Sequence, residues 1–175
     1  MTHKRKRDWQ KRKVYRLGWA LPKGERYESI EDARQDLQRM YVELSTLFEI
    51  EDVRISTTPE LLRPSKKRTS TSIYSPSRHC IICAVDMLYQ RKLIHELCHG
   101  LNKVWIGGHR RNMGASHGYE YTARYIFALG LYMFDGDFAK VEQVAIDQGC
   151  KWNGLITKTK AIDCKGSLFY YGDPF

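Results

Sequence analysis

Arg91-Lys92-Leu93-Ile94-His95-Glu96-Leu97-Cys98-His99 is the stretch on which the reading of the whole chain turns. On a helix, residues four apart stand one above the other on the same face, so His95 and His99 can aim ring nitrogens at one ion. Zinc suits that donor pair, with Zn–N distances of about 2.0–2.1 Å. Glu96 follows His95 by one residue, which sets its carboxylate beside the metal rather than on the ligand face. There it can take a proton from water held at the metal and later deliver it to a leaving amine. A pair of packed or surface histidines on an ordinary helix would look the same in isolation. The context argues against that: Leu88, Leu93, Ile94, Leu97, Leu101 and Val104 predict an amphipathic helix from Met87 to about Trp105. A buried strand precedes it, and Ile106-Gly107-Gly108 ends it.

Two histidines do not complete a catalytic zinc site, which takes a third protein ligand and keeps one position for water. His109 lies ten residues beyond His99, but the nearer metzincin spacing needs a glycine at position 102 and a histidine at 105. The chain has Asn102 and Trp105 there. Further on comes His117-Gly118-Tyr119-Glu120-Tyr121, at the start of a helix expected from about Ser116 to Phe134. His117 and Glu120 are three apart on that helix, so both can face the metal. Glu120 also suits a gluzincin-type carboxylate ligand. Spacing alone does not separate the two.

Working outward, Ile30, Ala33, Leu37, Met40, Tyr41, Leu44, Leu47 and Phe48 recur at helical intervals, and Ser29 with Asp32 forms a capping pair at the start. Val53–Thr57, Ser70–Tyr74 and the apolar run Cys80–Val85 read as three strands of a small sheet, separated by Pro59, Pro64 and the cluster Lys66-Lys67-Arg68. Asp137–Gln148 reads as a shorter amphipathic helix. The fold class this predicts is α+β: a helix, a small curved sheet, the metal-binding helix, and a helix that supplies the third ligand. Residues 1–20 are expected to be a flexible basic arm, 21–150 the folded domain, and 151–175 a tail with no assigned structure.

The run Arg91 to His99, followed by His117-Gly118-Tyr119-Glu120-Tyr121, resembles the SprT-like (Spartan-like) zinc metalloprotease family. That family pairs the HExxH helix with a downstream His-Gly-x-x-aromatic motif and has a strand hairpin before the helix. Thr71-Ser72-Ile73-Tyr74 and Ile81-Ile82 look like that hairpin, and the similarity covers roughly residues 30–135. The resemblance implies a zincin-like fold, one Zn²⁺ held by His95, His99 and His117, Glu96 as the base, and Tyr121 as a packing aromatic. It makes His117 the ligand in preference to Glu120. It also implies an endopeptidase acting on proteins or peptides, with DNA-associated proteins as a substrate class. The chain departs from many relatives in having only Cys150 and Cys164 beyond residue 135, too few for a C-terminal zinc ribbon.

The 175 residues are 42% hydrophobic and 28% charged, which suits one compact domain. No apolar run is long enough for a membrane span, and no apolar segment follows the basic N-terminus as a secretory signal would require, so a soluble intracellular protein is expected. Residues 1–16 hold eight basic residues against Asp8 and carry most of the net charge of +9. Lys4, Arg5, Lys6, Arg7, Lys11, Arg12 and Lys13 are candidate phosphate contacts, as are Lys66, Lys67 and Arg68. Trp9 and Tyr15 can add stacking on bases; a solubilising or targeting tail is the plainer reading. Tyr74, His109 and Arg110 lie in segments expected to flank the cleft and are candidate transition-state donors. The five cysteines are expected as free thiols, and Cys80 and Cys83, three apart on a strand, face opposite sides. Two rival readings remain: a nucleic-acid-binding module with a structural zinc and no proteolysis, and a metal hydrolase acting on another bond or on a specific partner without nucleic acid.

Overall fold

The structure, a computed structural model, describes residues 8–48, 62–65, 72–75, 80–101 and 116–152 with side chains, and 103–106, 109–112, 161–162 and 168–169 by backbone alone. Its axis is α3 (Gln90–Leu101), whose Leu93, Ile94, Leu97, Cys98 and Leu101 are buried together with His95 and Glu96. A helix hidden on nearly every side must be enclosed by other elements. Here α2 (Ile30–Leu47), α4 (Tyr119–Met133) and the sheet each pack against it. Each fully buried leucine contributes about 1.5–3 kcal/mol relative to exposure. The architecture is α+β, with five α-helices and a three-stranded mixed sheet among the described residues.

The cap expected for α2 is present: Ser29 Oγ accepts from the Asp32 N–H at 3.1 Å. Ala33, Leu37, Met40, Tyr41 and Leu44 form its buried face. In the sheet, β3 (Cys80–Cys83) is central, parallel to β1 (Leu62–Pro64) and antiparallel to β2 (Ile73–Ser75), with Tyr74 opposite Ile81. β1 was hidden in the sequence by Pro64. A proline at the end of an edge strand removes an N–H that the ladder does not use, so pairing survives it. The expected strand Val53–Thr57 and the cluster Lys66-Lys67-Arg68 lie outside the described residues.

The helix that carries His95 and His99 is shorter than its periodicity suggested. It ends at Leu101, and Lys103–Ile106 forms β4, antiparallel to β5 (His109–Asn112), with Ile106 opposite His109. Val104, Trp105 and Ile106 favour an extended chain. Arg124, buried on α4, donates from Nη1 to the Leu101 carbonyl at 2.8 Å. A cation there satisfies an orphan acceptor and opposes the negative end of the helix. α4 begins three residues later than expected, so His117 lies in the turn before it, with Gly118 as N-cap. α5 (Phe138–Asp147) follows, capped by Asp137 Oδ1 on the Lys140 N–H. A Cβ on Gly130 would stand 2.4 Å from Phe138 Cδ1, so the glycine is what lets α5 approach α4. Within the unassigned tail, β6 (Ala161–Ile162) pairs antiparallel with β7 (Leu168–Phe169). No helix is long and apolar enough to cross a membrane.

The largest correction concerns the expected arm. Lys11–Ala20 is a helix, α1, with Val14, Leu17 and Gly18 buried and Leu21 enclosed just beyond it. Lys11, Arg12 and Arg16 are exposed around this apolar stripe, and their density masked the stripe in the sequence. α1 packs against α5. The fully buried Gln10 ties it down: its Nε2 donates to the Lys151 carbonyl and its Oε1 accepts from the Lys151 N–H, both at 2.7 Å. If α1 is a structural element, Leu17→Ala lowers unfolding free energy by about 2–5 kcal/mol in urea denaturation. A change below about 0.5 kcal/mol would return residues 11–20 to the status of a loose arm.

Candidate metal centre

α3 carries His95 and His99 on one face, one turn apart, and the turn before α4 brings His117 across to them. One ring nitrogen of each lies within 4.8 Å of the other two. His95 Nε2 and His117 Nε2 are 3.4 Å apart. Two nitrogens bound at about 2.0–2.1 Å to a tetrahedral ion would stand about 3.4 Å from each other, so the spacing fits one shared ion. Burial holds the His95 ring well below the ordinary histidine range, reinforced by His99 and His117. A neutral ring keeps the lone pair a metal needs.

His117 is oriented from behind. Its Nδ1 lies 2.6 Å from Asp8 Oδ2. With the carboxylate as acceptor, Nδ1 carries the hydrogen and Nε2 presents its lone pair to the cluster, as ligating histidines commonly require. Burial lowers the His117 pKa, and the Asp8 contact works in the opposite direction. On the other side Tyr121 donates from its hydroxyl to the His95 carbonyl at 2.9 Å. Its ring centroid is 4.6 Å from that of His99 and 4.8 Å from that of His117. The Tyr15 ring on α1 faces two of the three imidazoles, 5.1 Å from His95 and 5.6 Å from His117.

Glu96 turns toward the sheet. Its Oε2 accepts from the Tyr74 N–H at 2.8 Å, and Oε1 is held more loosely by Ser72 Oγ at 3.4 Å. Burial pushes its carboxyl up to about 7, while the Tyr74 N–H, the Lys92 charge and Ser72 pull it down. A carboxyl in that range can gain and lose a proton near neutrality. A cation among the three rings would draw it lower.

The structure brings His95, His99 and His117 together, with Glu96 buried on the same helix as the first two and its carboxylate on Tyr74 and Ser72. Glu120, in the first turn of α4, is not in the histidine cluster. Tyr74 enters through its backbone: its ring lies against Gly100, where an added Cβ would meet Tyr74 Cε2 at 3.2 Å. His109 and Arg110 lie on β5, and their side chains are outside the described residues, as are Lys4, Arg5, Lys6 and Arg7. Lys11 and Arg12 are exposed on α1, and Lys13 Nζ lies 5.7 Å from the Trp9 ring centroid. Asp8, Tyr15 and Ser72 were not read from the sequence as site residues. The spacing of Val14, Leu17 and Leu21 was the available signal that α1 folds, and hence that Asp8 and Tyr15 reach the site. Among the described residues Cys80, Cys83, Cys98 and Cys150 are buried and form no disulfide, and no second metal-ligating group accompanies the histidines.

No family model, curated protein or solved structure matches this chain.

The assignment of ligands predicts that His117→Ala loses bound metal in elemental analysis while Glu120→Ala keeps it. The opposite pattern would transfer the third position to Glu120. Asp8→Asn should keep the fold and weaken metal binding about 10–100-fold in a chelator competition.

Proposed function

We propose that this chain is a zinc-dependent metallopeptidase of the SprT-like kind. One observation carries the reading: three imidazoles from two elements converge within 4.8 Å, and Glu96, next in sequence to one of them, is a buried carboxylate held by a backbone N–H. The all-nitrogen donor set fits zinc, and three protein ligands leave a fourth position for water or substrate. When bound, Zn²⁺ supplies Lewis acidity that makes water easier to deprotonate and polarises a carbonyl.

The chain's own groups do the rest. Glu96 is the base: Oε2 is pinned by Tyr74, so the loosely held Oε1 is the oxygen that accepts a proton from the attacking water. The same oxygen returns it to the amine nitrogen as the peptide bond breaks, with no covalent acyl intermediate. Ser72 follows that oxygen with its hydroxyl. Asp8 keeps His117 in one tautomer and one orientation. Tyr15 supplies the hydroxyl for the developing oxyanion: burial raises its pKa, and the charge of Glu96 adds to the rise. A phenol that stays protonated remains a donor, and it makes no hydrogen bond to another described residue. β2, at an edge of the described sheet and touching α3, suits an extended peptide added as a further strand.

Purified protein should contain close to one equivalent of zinc and cleave casein. Glu96→Gln should abolish cleavage while zinc content and circular dichroism stay as in wild type. A wild type that holds zinc and cleaves neither casein nor itself would favour a structural metal instead. Tyr15→Phe should lower kcat about a hundredfold with metal content unchanged.

A further inference from the structure

A narrow cleft opens from His95 between α1 and the first turn of α3. Its floor is made by Val14 and Tyr125, both buried. Gly18 keeps the floor open: a Cβ there would stand 3.2 Å from the Tyr125 hydroxyl. Tyr15 and Trp19 line the α1 side, with ring centroids 6.2 Å apart, and Trp19 is 72% exposed. A tryptophan this exposed, beside a metal ligand, offers an unused apolar wall.

The α3 side carries two cations and no acid. Arg91 Nη1 donates to the Leu21 and Pro22 carbonyls, which fixes the guanidinium without neutralising it. Lys92 has no hydrogen bond or ion pair to any described residue, although Glu96 lies one turn further along α3. Glu96 is turned to Tyr74, and Asp8 is engaged with His117. The lining of the cleft therefore carries positive charge and no carboxylate, with Glu96 attracting Lys92 only from one turn away. A partly enclosed site of this kind binds an anion more strongly than open surface does.

We propose that this cleft is the subsite for the substrate residue beside the scissile bond, and that it selects a carboxylate, with Lys92 as the specificity-determining residue. The inference rests on the peptidase reading, because the placement of the cleft next to the reacting bond follows from His95 being a metal ligand. Tyr15 and Trp19 cover the methylene stem while Lys92 meets the charge. A carboxylate can come from a Glu or Asp side chain or from a chain end, and both present the same group to Lys92.

Peptide binding to Glu96→Gln protein, followed by tryptophan emission with Trp19→Phe as the control for signal origin, separates these sources and tests the site. Of two peptides capped at both ends and differing only as Glu or Gln, the Glu peptide should bind about tenfold more tightly or better. If the chain end is the source, the preference should appear instead between a free and an amidated C-terminus. Either preference should vanish in Lys92→Ala and turn toward a Lys-containing peptide in Lys92→Glu. Equal binding of all pairs, or a preference that survives Lys92→Glu, overturns the proposal. If the preference holds while wild type cleaves none of these peptides, the peptidase reading falls and the carboxylate site stands.

Discussion

Two imidazole nitrogens facing each other at 3.4 Å are a conflict unless something lies between them or one donates a proton to the other. Much of the interior is arranged to hold His95 and His117 in that relation. α3 cannot shift along its axis, because Tyr121 holds the His95 carbonyl and Arg124 holds the Leu101 carbonyl, both from α4. His117 cannot rotate freely, because Asp8 grips its other nitrogen. The apolar contacts of Leu93, Ile94 and Leu97 fix the depth of α3, and the polar contacts fix its rotation and register.

Burying so many polar groups is unfavourable unless each finds a partner. Glu96 is met by a strand N–H and a hydroxyl, and Gln10 by both backbone groups of Lys151. Removing one partner from such a set leaves the other desolvated, so these contacts specify one arrangement more than they add stability. The same economy explains the helix bounds. Side chains close two of the helix ends: Arg124 takes the Leu101 carbonyl at the end of α3, and Asp137 accepts from the Lys140 N–H at the start of α5.

The parts of this fold that were legible in the sequence are those governed by short-range periodicity. The heptad-like spacing of Ile30 to Phe48, the cap at Ser29, the apolar run at Cys80 and the four-residue histidine pair all have one local cause each. α1 was not legible because its apolar stripe is only three residues, and the charge around it matched the pattern of an unfolded arm. β4 was lost because Val104 and Trp105 continue the helical phase of α3, and only the two glycines beyond them marked a hairpin. Ser72 and Asp8 were beyond sequence reasoning of this kind. They reach Glu96 and His117 from 24 and 109 residues away, and nothing local in either residue marks the partner. The His-Gly-x-x-Tyr motif pointed to His117, yet its place before the helix rather than within it follows from Gly118 acting as the cap.

The Gln10 clamp joins residues 141 apart in the chain. Asp8 is two positions from that clamp, and α1 rests on α5, so the groups behind His117 are fixed only once both ends are present. During synthesis the paired histidines of α3 would be made with more than fifty residues still to be added before Lys151 emerges from the ribosome. Closure over so long a span is late and entropically unfavourable until the final contacts form. A nascent chain therefore carries the motif well before it carries the groups that set the His117 ring, and the three imidazoles reach their final arrangement only after translation has passed the far side of the clamp.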